Sequence, residues 1–202
     1  MTNARLATII AAAALALAPA GRAVAADPAI QPIEALDAAL VASMKSAKTE
    51  SAPRRYRELD PAVTRAYDFA TMVRFAVGPS WASFTPAQKQ ALTEAFERLT
   101  VASYVHELTG WSGERFEVDP DVVTRGPDKV VTTHLISPGQ APVPIAYRMR
   151  ETGGAWKIID VFFNGSISQL TTRRSDFASI VAGGGAPALL AHLNALADHE
   201  MK

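Results

Sequence analysis

Across 202 residues, 20 Lys and Arg balance 20 Asp and Glu, 49% of the side chains are hydrophobic, and there is no cysteine. Without cysteine the chain has neither thiol chemistry nor disulfide staples, so packing alone must hold it together. Without a basic excess it carries no electrostatic signature of a nucleic-acid partner.

The first 26 residues, MTNARLATIIAAAALALAPAGRAVAA, begin with Arg5, run apolar from Leu6 to Ala18, and offer Ala23-Val24-Ala25 as an A-x-A cleavage signal. The apolar run is too short to cross a bilayer, so residues 1–26 read as a secretory signal peptide and 27–202 as one domain. Losing Arg5 and Arg22 from the 20 basic residues leaves 18 against 20 acidic ones, a net charge of −2. No second apolar run looks long enough to span a membrane, and a protein of the bacterial periplasm, expected as a monomer, is the natural reading.

The first half of the domain reads as helical. After Pro32, residues Ile33, Leu36, Leu40, Met44 and Ala47 recur at spacings of three and four and form one apolar stripe. Asp60-Pro61 predicts a second helix start, with an apolar face of Phe69, Met72, Val73, Ala76 and Val77 that stops at Gly78-Pro79. Thr85-Pro86, with Gln88 completing a capping box, opens the clearest helix; Leu92, Ala95, Phe96, Leu99 and Ala102 form its buried side, and Gly110 is its expected terminator.

After Trp111 the period changes to two. ERFEV, KVVTTHLI, PVPIAYRMR and WKIIDVFF are strands separated by Gly126-Pro127-Asp128, Pro138-Gly139 and Gly153-Gly154, and such short connections predict an antiparallel meander. WKIIDVFF carries Trp156, Ile158, Asp160 and Phe162 on one face and Lys157, Ile159, Val161 and Phe163 on the other. Both faces are mostly apolar, so one must cover something besides the domain's own core. Asn164-Gly165 is expected to end the sheet; a short helix around residues 168–181, a break at Gly183-Gly184-Gly185 and a last helix opened by Pro187 complete an α+β fold, with helices on one face of a curled antiparallel sheet of about four strands.

No catalytic or metal motif emerges. Ser166 and Ser168 in NGSISQL lack the G-x-S-x-G pattern and are explained by helix capping. His106, His134, His192 and His199 show no ligand-pair spacing, and the triple glycine has neither the Lys-Ser/Thr pair nor the βαβ setting of a phosphate loop. Asp160, the one carboxylate within the doubly apolar strand, would be the acid or base of a cone-fold enzyme acting on an apolar substrate; a structural pairing with Arg148 or Arg174 is the expected alternative. The apolar surplus on the strands (Tyr147, Met149, Ile159, Val161, Phe163) and helices (Phe69, Met72, Val73, Phe96, Leu99) either fills a core or lines a cavity, and periodicity does not separate the two.

Three stretches, residues 67–108, WSGERFEV at 111–118, and PVPIAYRMRETGGAWKIIDVFFNGSISQLTTRRSDFASIVAGGG at 142–185, together resemble the MlaC-type (toluene-tolerance) family of periplasmic lipid carriers, and within it the hopanoid-associated HpnM branch. The resemblance implies a cystatin- or NTF2-like domain with an apolar cavity between sheet and helices. It implies a non-enzymatic shuttle, without cofactor, that exchanges phospholipid or hopanoid with inner- and outer-membrane transport complexes. TTRRSDF matches a family segment at Arg174, Ser175 and Phe177, whereas Arg173 stands where an aromatic residue is common. On this reading Leu170 and Phe177 join the lipid-side residues above, Ile159, Val161 and Phe163 face the lipid, and Arg173 and Arg174 are head-group candidates. An interaction module with a solid core is the remaining alternative.

Overall fold

The computed structural model describes residues 26–164 and 166–202; the predicted signal peptide through Ala25 lies outside them. In chain order the helices are α1 (Ile30–Ser46), α2 (Ala52–Ala66), α3 (Phe69–Val77), a 3-10 turn (Gly78–Ser83) and α4 (Pro86–Glu107). Strands β1 (Arg115–Val118), β2 (Val123–Arg125), β3 (Asp128–Ile136), β4 (Val143–Thr152), β5 (Ala155–Phe163) and β6 (Ile167–Ser168) follow, and α5 (Gln169–Glu200) closes the chain.

Local chemistry explains most boundaries. Thr85 accepts from the Gln88 backbone N–H at 3.2 Å while Gln88 Oε1 accepts from the Thr85 N–H at 2.9 Å, the capping box expected from the sequence. The second helix, however, does not start at Asp60-Pro61. It starts nine residues earlier, with Ser51 before the first helical residue Ala52 and Pro53 in the first turn, and Pro61 lies inside it. Pro61 removes the bond to the Arg57 carbonyl; both residues are on the exposed side, where water can satisfy that oxygen. The helical half then breaks at Tyr67, and Asp68 caps α3 by accepting from the Thr71 N–H at 3.0 Å.

The sheet has six strands rather than about four. β3, β4, β5 and β6 form a meander, and β1 and β2 divide the outer edge of β3 between them. The β4–β5 hairpin turns at Gly153 and Gly154, whose φ of 62° and 80° suit the two-residue loop between Thr152 and Ala155. Asn164-Gly165 does not end the sheet, because β6 pairs back on β5, Phe163 opposite Ile167.

Simple alternation fails once, inside β5. Asp160 pairs with Arg148 and Ile158 with Met149, leaving Ile159 as an extra residue, a β-bulge. Beyond it the faces exchange. Ile158 shares the helix-facing side with Val161, opposite Tyr147, and with Phe163, opposite Ile145. The two apolar faces of WKIIDVFF are therefore largely one face interrupted by a bulge.

All five helices lie on that one side of the sheet. Around Met149, Ile158, Ile33, Leu36 and Val73, each fully buried, the interior is solid. α5 satisfies the length and composition of a membrane span, which the sequence reading did not foresee. In the fold it is broken at Gly185 (φ 63°, ψ −156°), and Leu189, Leu193 and Ala197 of its second part are fully buried, with α5 packed on α3 and α4.

Candidate functional site

Toward the other end of the sheet the two layers part and leave a cavity of about 380 Å³. Its sheet wall is Ile145 and Tyr147 from β4, Val161 and Phe163 from β5, and Phe116 and Leu135 from the outer strands. Its helical wall is Leu40 and Met44 of α1, Tyr67, Met72 of α3, one face of α4 comprising Phe96, Thr100, Ser103, Tyr104 and Glu107, and Leu108 just beyond it. Gln169, Leu170 and Arg173 from the first turns of α5 complete the ring. The lining is mainly apolar, with a polar strip along α4 that continues onto α5. Phe163, 46% exposed, and the exposed Glu107 and Gln169 mark the mouth.

Behind the lining stands an aromatic layer. Phe96 meets Phe69 and Phe177 edge to face, both at 6.1 Å between centroids, and Phe69 stacks on Tyr67 at 5.3 Å. The Tyr67 and Tyr104 hydroxyls are 2.5 Å apart and satisfy each other. Burial pushes the Tyr104 phenol up to about 12 and Tyr67 well above its ordinary value, so both stay neutral. Asp37, on α1, is a buried carboxyl that accepts from the Thr133 hydroxyl at 2.9 Å through one oxygen and has no partner for the other among the described residues. Burial, with Glu34 nearby, raises it to about 7.

Of the residues singled out in the sequence, Met72, Phe96, Tyr147, Val161, Phe163, Leu170 and Arg173 line the cavity. Phe69, Val73, Leu99, Met149, Ile159 and Phe177 do not; all are buried, and all but Ile159 belong to the packed core. Ile159 is removed from the lining by the bulge it forms. Arg173 lies over the Phe96 ring at 5.4 Å, whereas Arg174 is exposed and packs beside Gly78. Sequence reasoning missed the polar strip Thr100, Ser103, Tyr104 and Glu107, because polar residues on an amphipathic helix ordinarily mark its solvent side. Their spacing from Phe96, at four, seven, eight and eleven residues, was the available signal.

Asp160 lies outside the cavity lining. Neither Arg148 nor Arg174 bonds to it: Arg148 turns to Asp128. Asp160 accepts instead from the Val161 N–H at 2.8 Å, the Leu170 N–H at 3.2 Å and the Ser168 hydroxyl at 2.7 Å, tying the start of α5 to β5. Ser168 in turn caps α5 by accepting from the Thr171 N–H. His106 and His199 are both exposed, with ring centroids 6.5 Å apart, and His106 Nδ1 lies 3.5 Å from Glu200.

The MlaC protein family matches this chain over residues 34–195. A toluene tolerance protein, ttg2D, of Pseudomonas putida is 29% identical over 102 residues, which are 50% of this chain and 46% of that protein. The chain thus spans about half the length of the curated relative it matches. A phospholipid-binding protein from Ralstonia solanacearum, solved in complex with a phospholipid, superposes with a TM-score of 0.74 at 21% identity, over 87% of this chain and all of that one. At that identity the likeness establishes the fold.

Proposed function

The chain belongs to the MlaC protein family, and on that premise we propose that it is a periplasmic carrier that holds a lipid's hydrocarbon in the cavity and shuttles it between inner- and outer-membrane complexes. The observation that carries this reading is the mainly apolar space of about 380 Å³ between sheet and helices, opening at Phe163, Glu107 and Gln169. Its volume falls in the range of natural ligand pockets. The solved relative that shares this fold is described as binding a phospholipid. Phospholipid is accordingly the expected cargo, with hopanoid as the narrower alternative suggested by the resemblance to one branch, and Arg173, on the lining, is the proposed contact for a phosphate.

The energetics suit a shuttle. Each methylene withdrawn from water contributes about 0.8 kcal/mol, so roughly ten contribute about 8 kcal/mol, a micromolar-scale affinity before ordering terms. Relative to a bilayer, where tails are already dry, that gain nearly vanishes. The cavity prevents escape into water without retaining the lipid against a membrane, and direction must come from the partners at either end. The cone-fold enzyme reading needs Asp160 as an acid or base, but its carboxylate is occupied by three hydrogen bonds away from the cavity.

Transfer between vesicles tests the proposal. With donor vesicles containing fluorescent phospholipid and unlabelled acceptors, the protein should accelerate exchange in proportion to its concentration; exchange at the protein-free rate would refute carriage.

A further inference from the structure

Two side chains of opposite charge share the cavity mouth without pairing. Glu107, at the end of α4, and Arg173, in the second turn of α5, both line the opening, yet they form no ion pair. They are near enough for each to act on the other's charge. The Arg173 guanidinium lies over the Phe96 ring.

The charges around this pair narrow the ligand. Arg173 sits in the field of three carboxylates, Glu107, Asp176 and Glu200, the last also 3.5 Å from His106 Nδ1. A simple anion approaching Arg173 meets the repulsion of those carboxylates. A simple cation approaching Glu107 meets Arg173. A group that carries both charges, with a short link between them, satisfies each side at once. Burial already disfavours both charges, pushing Glu107 up and Arg173 down, so each gains from a complementary charge on the ligand.

Resting on the carrier reading above, we propose that the mouth selects a zwitterionic phospholipid head group, its phosphodiester on Arg173 and its ammonium on Glu107, in preference to an anionic one. The Ser103 hydroxyl and Gln169 amide, also on the lining, supply neutral hydrogen-bonding groups around it.

Purified protein is loaded from vesicles holding equal amounts of phosphatidylethanolamine and phosphatidylglycerol with the same acyl chains, reisolated, and its lipid weighed by mass spectrometry. The wild type should enrich phosphatidylethanolamine about fivefold, the scale of one partly exposed ion pair. Glu107→Gln should bring the ratio to one or reverse it at similar total loading, and Glu107→Asp should keep the enrichment. A loaded wild type with the vesicles' own ratio, or an enrichment that survives Glu107→Gln, overturns the selection and leaves the carrier reading standing. A wild type that takes up no lipid at all overturns both.

Discussion

Tyr147 and Val161 face each other across β4 and β5 on the cavity wall, and they do so because Ile159, two residues earlier, bulges out of the pairing. Without that extra residue, alternation through β5 would put Val161 and Phe163 on the face opposite Ile158. The bulge thus lets one strand seal the packed interior through Ile158 and line the open part through Val161 and Phe163.

Filling that open part should separate binding from folding. Val161→Trp places a large ring into the cavity rather than into packed core, so the destabilisation should be at the low end of the roughly 1–3 kcal/mol of overpacking, measured by urea unfolding. Lipid loading should fall at least about tenfold, the equivalent of one lost contact surface of about 1.4 kcal/mol. The matching change at Ile159, Ile159→Trp, should reverse the pattern, with the larger loss in stability.

Asp37 should make the protein less stable as pH rises. Its folded-state value is raised to about 7 from 3.8, so between those values the folded state holds a proton that the unfolded state has released. The unfolded state therefore binds fewer protons, and the unfolding free energy falls with pH across this window. The stabilisation is complete below about pH 4 and lost through about pH 7, to a total on the order of 4 kcal/mol. Denaturant melts from pH 4 to 8 should show this decline in the wild type and a flatter curve in Asp37→Asn.

Arg55 joins three helices from a buried position. It donates to the Ser43 carbonyl and hydroxyl on α1, both at 3.2 Å, to the Val105 carbonyl at 3.1 Å and to the Leu108 carbonyl at the end of α4. Arg55→Leu would take a donor from the Val105 and Leu108 carbonyls, while the Ser43 carbonyl keeps the Ser46 hydroxyl at 3.3 Å, and should lower the unfolding free energy by about 2–4 kcal/mol. Arg55→Lys should recover only part of it, since one ammonium cannot reach the spread of acceptors that a guanidinium does.

Asp160→Ala should loosen the cavity rim. The substitution removes the acceptor for Leu170, Ser168 and Val161 and should cost about 1–3 kcal/mol in chemical melts. Because Leu170 and Arg173 line the cavity, lipid transfer should become faster and loading weaker. Hydrogen exchange should rise first at the start of α5.

Much of this architecture was legible because local signals carry it. Thr85-Pro86-Ala87-Gln88 specifies a helix start through its own hydrogen bonds, and Gly153-Gly154 specifies a hairpin through positive φ. Asp60-Pro61 misled because the same residue types also occur where a helix can shed one exposed hydrogen bond. The bulge at Ile159 was not legible: a period of two is blind to an inserted residue when it repeats the isoleucine before it. The cavity was half legible. Phe96, Tyr147 and Val161 stand out as apolar, but Phe69 and Phe177 look the same and are packed one layer behind. Only tertiary contact separates lining from backing, and it also turns Thr100 and Ser103 toward the cavity when their polarity argues for solvent.

Native mass spectrometry of the protein purified from its native host, without detergent, tests the central claim most directly. The account predicts a bound species whose added mass matches a phospholipid or another long-chain amphiphile and which is lost in Val161→Trp. Repeated recovery of the bare chain mass, with no lipid released on denaturation, would contradict it.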